Sequence, residues 1–577
     1  MSSTLITSRK LQKAIAATRT ARLGPLEWQR KVKQQSTLLP YDYSSRTCDT
    51  SLINTRLPTE LLLEILIRLP LTELVKIPCT CSLLGERRFG HAPTLQVLLR
   101  VCHRWRMLLL GCPKFWSSFE LAPATGQYKY HVEQGREWLS RAGDCPLKVA
   151  LSNSTSKRYP SGMLDFLDMV IPFHAQLHEV DISLGLELFE PFFNMTATLS
   201  RLEKATLRIS AAAFDTTFRD RIRTFMNAPA LKELDLSVHF SLRHRVPILR
   251  YMDVPYHQLH SLTLRNVGNY DPAFVIQILV KAHNLQKAVL SVGVHDYGPL
   301  ELDMLRAKLA HQPAANCPSL VHLVLLTEGL CDASLVLEKL TAPALETLSI
   351  THSPKSGPHP GLFDIVLLDF QKRSNAPLKA LRLRFVDRLH TIGLISSLKL
   401  VGETLEELIV QSCSGLDVCS VLEAMVHPSW MSETADAIPS FLDGLRSDAL
   451  VPNLKRLGIA AQFDSEEQVD IILDVVGSRG YHYPRFYDSR RDYGPEALAL
   501  REWLLNHKLE RLKYVVTEPR TLTPKAKKRL AEFASRGLKV DATVLPLWRA
   551  RELCMRLELE GEDEYFHGIT EIPARIF

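Results

Sequence analysis

The chain has 577 residues, of which 46% are hydrophobic, which is more than one ordinary core absorbs, so several domains or an extended repeat array are expected. Seventy basic residues face 63 acidic ones for a formal charge of +7, a small excess for this length. Eleven cysteines, from Cys48 to Cys554, show no framework spacing, and no apolar run reaches bilayer length; this excludes a disulfide-stapled secreted domain and a membrane-spanning protein, and points to a soluble protein with reduced thiols in the cytoplasm or nucleus.

The basic excess gathers at the front. Arg9, Lys10, Lys13, Arg19, Arg22, Arg30, Lys31 and Lys33 stand against Glu27 alone. Residues 1–54 read most simply as a solvated, partly helical extension; an organelle presequence, a nuclear signal and a nucleic-acid arm share the same composition.

The first periodic segment is Leu57-Pro58-Thr59-Glu60-Leu61-Leu62-Leu63-Glu64-Ile65-Leu66. Pro58 suits a first helical turn, Glu60 complements the positive end of the helix dipole, and Leu61, Ile65 and Leu69 recur at a spacing of four beside Leu62 and Leu66. A second segment, Val101-Cys102-His103-Arg104-Trp105-Arg106-Met107-Leu108, repeats the arrangement with Val101, Trp105 and Leu108. Short helices with apolar faces this wide either meet a partner or cap a larger domain. Between them, after Leu74, the stretch 78–94 is punctuated by Pro78, Gly85, Gly90 and Pro93 and reads as an inserted loop. Cys79 and Cys81 within it have no second Cys/His pair at zinc spacing.

The two halves together resemble an F-box, whose pattern is an LPxELLxxIL opening, a Leu in the connection, and a VCxxWRxL helix. The resemblance implies a small helical domain over residues 55–121 that docks the adaptor subunit of an SCF ubiquitin ligase. Leu57, Pro58, Leu61, Ile65, Leu66, Leu74, Val101, Cys102 and Trp105 match the motif and would carry that contact, with Trp105 as anchor. The connection is much longer here than in the family. It is either a surface loop or translated intron sequence, and as part of the protein it threatens the docking face. The following Cys112-Pro113-Lys114-Phe115-Trp116-Ser117-Ser118-Phe119-Glu120-Leu121 resembles the PxLWSxxxL segment of fungal, basidiomycete-type, F-box proteins.

Beyond it, a strand is expected at Leu147–Leu151, and then an L-x-x-L-x-L pattern recurs eleven times. Its first leucines are Leu177, Leu202, Leu231, Leu259, Leu285, Leu320, Leu345, Leu378, Leu405, Leu454 and Leu509. The first steps are 25, 29, 28 and 26 residues, within the range of a leucine-rich repeat. The last two lengthen to 49 and 55, through inserted loops or a degenerate repeat hidden between Cys419 and Val451. Pro229, Pro318, Pro343 and Pro452 precede four of the motifs and are expected to stop a helix and lead into a strand. Helices are signalled after Ser465, with Gln468 three residues on and a stop at Gly477, and after Thr523-Pro524, with Leu530 and Phe533 on one face and a stop at Gly537. Only Leu405–Leu416, with Cys413, matches the longer consensus.

The expected fold class is α/β: a short helical F-box followed by an irregular leucine-rich-repeat solenoid of parallel strands with outer helices over 145–545. Residues 546–577, acidic from Glu558 to Glu564, form a cap or a tail. An ordinary parallel α/β domain is the competing architecture.

No sequence signature of an enzyme, metal site or cofactor emerges. There is no GxGxxG, Walker loop, GxSxG or HExxH. His174 and His178 have i, i+4 spacing without a companion carboxylate, the two Asp-Tyr-Gly-Pro segments at 296–299 and 492–495 read as repeat loops, and Asp165 and Asp168 read as a solvated helix face. The resemblance therefore implies a non-enzymatic substrate receptor with two partners, the SCF adaptor and an unidentified target protein. The alternatives are a repeat scaffold that does not engage the ligase and, through the basic N-terminus, a nucleic-acid binder, which lacks interleaved aromatics.

Overall fold

A computed structural model describes residues 56–68, 75–76, 95–99, 101–121, 128–152, 162–185, 189–193, 198–211, 222–240, 252–265, 271–294, 305, 307–329, 333–352, 363–411, 413–426, 450–461, 466–478, 509–516 and 524–544. They form two compact units. The first consists of the helices Thr59–Arg68, Leu95–Leu98 and His103–Gly111; the second takes in the strand Val75–Lys76 and the described chain from Cys112 onward.

The second unit is built on strands β1 (Val75–Lys76), β2 (Ser118–Leu121), β3 (Leu147–Ser152), β4 (Leu177–Gly185), β5 (Lys204–Ala211), β6 (Glu233–Phe240), β7 (Ser261–Arg265), β8 (Lys287–Val294), β9 (Ala315–Asn316), β10 (His322–Gly329), β11 (Leu340–Thr341), β12 (Thr347–His352), β13 (Ala380–Arg384), β14 (Glu407–Gln411), β15 (Arg456–Ala461), β16 (Arg511–Val516) and β17 (Lys539–Val544). Fifteen of them make one parallel sheet in chain order, while β9 and β11 pair separately. A parallel neighbour demands a crossover, and helices such as Pro272–Lys281, Phe363–Ser374, Thr391–Val401 and Pro524–Ser535 supply it. The result is the α/β solenoid pattern.

All eleven leucine motifs fall on successive strands of this sheet, β4 to β8, β10, and β12 to β16. The registers align their leucines into rows, for example Leu234, Leu262, Ala288, Leu323, Leu348, Leu381, Leu408, Leu457 and Leu512. From β4 to β15 no side chain in the two strand rows is more than 5% exposed. Each unit is narrow, so its leucines are buried only because a neighbour stands on either side. Truncating one such leucine to Ala is worth about 2–5 kcal/mol.

The prolines act slightly differently from expectation. Pro229, Pro318, Pro343 and Pro452 each occupy the second position of a turn, in which the N–H of Leu231, Leu320, Leu345 or Leu454 donates to the carbonyl of Ala228, Cys317, Ala342 or Val451 at 3.2, 3.2, 3.2 and 3.3 Å. The fixed φ of proline suits that position and aims the first leucine inward. At the full consensus match, Cys413 Sγ lies 3.6 and 3.5 Å from the carbonyls of Leu383 and Gln411, satisfying main-chain acceptors where the strand ends.

The two long steps add no strand to the sheet, and residues 427–449 and 479–508 within them lie outside the described residues. β14 is hydrogen-bonded directly to β15, and β15 to β16, so no hidden repeat contributes a strand between them. The helix Glu466–Val476 lies where its signals placed it, although Ser465 is outside the described residues. Pro524 opens its helix, Leu530 and Phe533 are buried, and Gly537 has φ of 97°, the left-handed stop that glycine favours. β1, β2 and β17 carry no leucine motif. β1 and β2 lie within the span 55–121 that the sequence reading gave to the helical segment, yet they extend the sheet.

Candidate functional site

The apolar stripe of Thr59–Arg68 divides into two faces. Leu62 and Leu66 are buried, at 1% and 0% exposure, together with Leu95, Leu98, Cys102 and Leu109 of the same helical unit. Leu61 and Ile65, one turn apart, remain 49% and 48% exposed. Helical spacing explains the split: 61 and 65 share one line along the helix, and 62 and 66 the next, rotated by about 100°. Glu64 and Arg68 pair at 2.6 Å on the solvent side, an exposed contact of little energetic weight.

The second half of the motif is held against the first by a residue the sequence reading did not single out. Arg104 Nη2 donates to the Leu57 carbonyl at 2.8 Å and to Thr59 Oγ1 at 3.1 Å, so the guanidinium ties the start of one helix to the start of the other. Leu62 N–H donates to the Pro58 carbonyl at 3.1 Å, which places Pro58 just outside the helix. Val101 and Cys102 precede the helix His103–Gly111 and are not on it: Val101 N–H closes a turn on the Leu98 carbonyl at 3.2 Å. Leu109, and not Leu108, is that helix's fully buried leucine.

Of the nine motif residues, Pro58, Leu61, Ile65 and Val101 are exposed, Leu57 and Trp105 are half-buried, and Leu66 and Cys102 are inside the unit. Leu74 lies outside the described residues, as do the stretch 78–94, the basic N-terminus and both Asp-Tyr-Gly-Pro segments. Met107, 56% exposed, adds a further large apolar side chain to the surface of this unit. No sequence signal distinguished Met107 from Leu109; only the fold assigns one outward and the other inward.

The chemical candidates elsewhere are dispersed. His174 sits in the short 3-10 helix Ile171–Gln176 and His178 on β4, so the two do not share a helix face. Asp165 and Asp168 are exposed, while Phe166 and Leu167 between them are buried. Among the described residues no group of three His, Cys, Asp or Glu side chains converges as a metal site, and no helix is long and apolar enough to cross a membrane. The described cysteines carry free thiols. Cys317, buried in the array with its Sγ 3.6 Å from the Leu279 carbonyl, has its thiol pushed up by burial to about 11.

No curated protein matches the chain. One family does match within it, over a span that begins just before Leu57, covers the whole helix Thr59–Arg68 and ends ahead of Val101–Leu108: residues 55–85 are an F-box domain.

Proposed function

We propose that this protein is the substrate-recognition subunit of an SCF-type ubiquitin ligase, in which the F-box docks the adaptor and the strand-and-helix array, read as leucine-rich repeats of the kind fungal F-box proteins carry, holds a target protein. The observation that supports this reading most is the F-box match over a helix whose Leu61 and Ile65 face solvent while Leu62 and Leu66 hold the helix in place. An exposed i, i+4 pair of large aliphatic side chains is what a helix-in-groove partner grips. In this reading Leu61 and Ile65 make the contact together with Leu57, Pro58, Leu74, Val101 and Trp105, and Leu66 and Cys102 act from beneath by fixing the helices. The chain performs no bond chemistry; it raises the local concentration of target lysines near an activated ubiquitin carried by the same assembly. The cytoplasm or nucleus is the compartment where that assembly would meet it.

The test is co-purification with the SCF adaptor of the same organism. The intact chain is expected to recover adaptor in a fixed ratio, and Leu61→Asp/Ile65→Asp to lose it with no change in thermal unfolding. Leu66→Ala is expected instead to destabilise the helical unit by about 2–5 kcal/mol. Failure of the intact chain to recover adaptor, with recovery by a version lacking residues 78–94, assigns the insertion a blocking role. Failure of both versions leaves a repeat-based interaction scaffold that does not engage the ligase.

A further inference from the structure

The strands enter the sheet through two rows rich in ion pairs. One is the register row that runs through Lys204, Glu233, Ser261, Lys287 and His322; the other is the residue just before it on each strand. From β3 to β15 each Lys or Arg of these rows but one meets a carboxylate of a neighbouring strand: Lys148 with Glu179, Lys204 with Glu233 at 3.0 Å, Lys232 with Glu203 at 3.1 Å, Lys379 with Glu346 at 2.8 Å, Lys455 with Glu406 at 3.1 Å and Arg456 with Glu407 at 3.0 Å. Lys287 of β8 is the exception among the described residues. Ser261 and His322 flank it in its own row, and His260, Gln286 and Val321 stand in the row before. The next carboxylate, Glu346, is already held by Lys379. At β8 and β10 the ladder therefore lacks one negative charge.

The same two strands change the face beside the gap. Two residues further along, β4, β5, β6 and β7 present Asp181, Thr206, Asp235 and Thr263, and β12 and β13 present Ser349 and Arg382, whereas β8 and β10 present Val289 and Val324. Leu326 continues the apolar line on β10. Val289 is nearly covered, at 6% exposure, Val324 and Leu326 are half-buried, and Lys287 and His322 are exposed. The result is a small apolar floor between polar strands, with an unmatched ammonium at its edge. Burial first, then Lys287 and Arg382, push the His322 imidazole below its ordinary value against the pull of Glu346. The ammonium, and not the ring, is the cation of the gap.

We infer that β8 and β10 are where the array seats its target, and that the occupant is an extended internal segment of a protein with an Asp or Glu side chain two residues before a Val, Ile or Leu. The carboxylate supplies the missing charge at Lys287, and the aliphatic side chain lies on Val324 and Leu326. Side chains two apart on an extended segment share one side at a step of about 6.6 Å, the same step that separates His322 from Val324 along β10. The ion pair fixes the register of the segment, and the apolar contact beside it excludes water. The inference rests on the receptor reading above and names the target chemistry for it.

The experiment applies the full-length chain to an array of synthetic decapeptides blocked by acetyl and amide groups. One fixed position is Asp, Glu, Lys or Ser, the position two residues on is Val, Leu or Ser, and Gly and Ser fill the rest; a matched set carries free C-terminal carboxylates. Adaptor capture is measured on the same preparations. The intact chain is expected to retain the blocked acidic-aliphatic peptides about tenfold better than their Lys or Ser counterparts. Lys287→Glu is expected to leave thermal unfolding unchanged and to move the preference to the Lys peptides, and Val324→Ser to remove the gain from the aliphatic position. Lys232→Glu, which breaks a pair elsewhere in the ladder, is expected to change retention by less than about twofold. No preference for the acidic-aliphatic pair in the intact chain, or a preference that Lys287→Glu leaves in place, would overturn the assignment. So would retention confined to the peptides with free C-terminal carboxylates, or an oligonucleotide that displaces the chain at lower concentration than soluble peptide does. Adaptor capture that persists while the preference is absent rejects this inference alone; loss of adaptor capture with the preference intact rejects the ligase reading and leaves the site assigned.

Discussion

Asp235 shows how a single side chain on the strand face carries a pH signature. Burial raises its carboxyl above the ordinary value, more than Arg265 and Arg208 lower it, with Asp181 adding to the rise. A carboxyl whose pKa is raised by folding contributes stability that is present below the ordinary value and is lost as pH rises through the raised one. The denaturation midpoint of the natural chain, compared at each pH with that of Asp235→Asn, is therefore expected to fall across that window. A difference between the two that stays constant with pH would mean that Asp235 titrates as it does unfolded. This residue was not legible in the sequence. An Asp between two leucines of an LxxLxL motif reads as solvent-facing, and only the pairing of β5, β6 and β7 brings Arg208 and Arg265 to its sides.

Between elements, the helices of neighbouring repeats are joined by a buried carboxylate. Asp364, 7% exposed on Phe363–Ser374, points at the start of Thr391–Val401, where its Oδ1 lies 3.3 Å from His390 Nδ1. The N-terminal dipole and unpaired N–H groups of that helix favour such a charge. Gly393 makes the room: a Cβ there would lie 2.1 Å from Asp364 Oδ2. Gly393→Ala is expected to destabilise the array by about 1–3 kcal/mol through overpacking, and Asp364→Ala in the same chain to recover part of the loss. Calorimetry of the single and double variants reads this directly; strictly additive losses would dismiss the contact as the cause. At this scale the sequence was most informative where periodicity repeats. The leucine spacing located eleven strands because each must bury the same row against its neighbour. It missed β1, β2, β9, β11 and β17, where the motif is absent, as at β2 with Phe119 in place of a leucine. It identified the F-box helix and left its outward face ambiguous, since Leu61, Leu62, Leu63, Ile65 and Leu66 surround so much of the helix that only the positions of Leu95, Leu98 and Leu109 decide which line is buried.

At the scale of the whole array, parallel pairing in chain order makes each inner strand of the fifteen depend on its two neighbours, while β1 and β17 have one each. The β14–β15 junction takes that dependence to its limit. Five residues on each strand stay in unbroken register, from Glu407 with Arg456 to Gln411 with Ala460, although 49 residues separate the repeat leucines that lead into them. Closing a loop of twice the usual length adds only about 0.6 kcal/mol, so the ladder and the leucine rows, and not the covalent connection, hold the two sides together. The helix Val418–Met425, with Val421, Leu422 and Met425 buried, belongs to the packed array, so the test is made beyond it. A site-specific protease site placed within 427–449 and cut in the folded protein is expected to yield two fragments that elute as one species and separate only in denaturant; fragments that part under native conditions would show that the connection itself is structural. Because the register is held on both strands, a label or a second binding module inserted between Val426 and Leu450 is expected to leave the β14–β15 pairing intact.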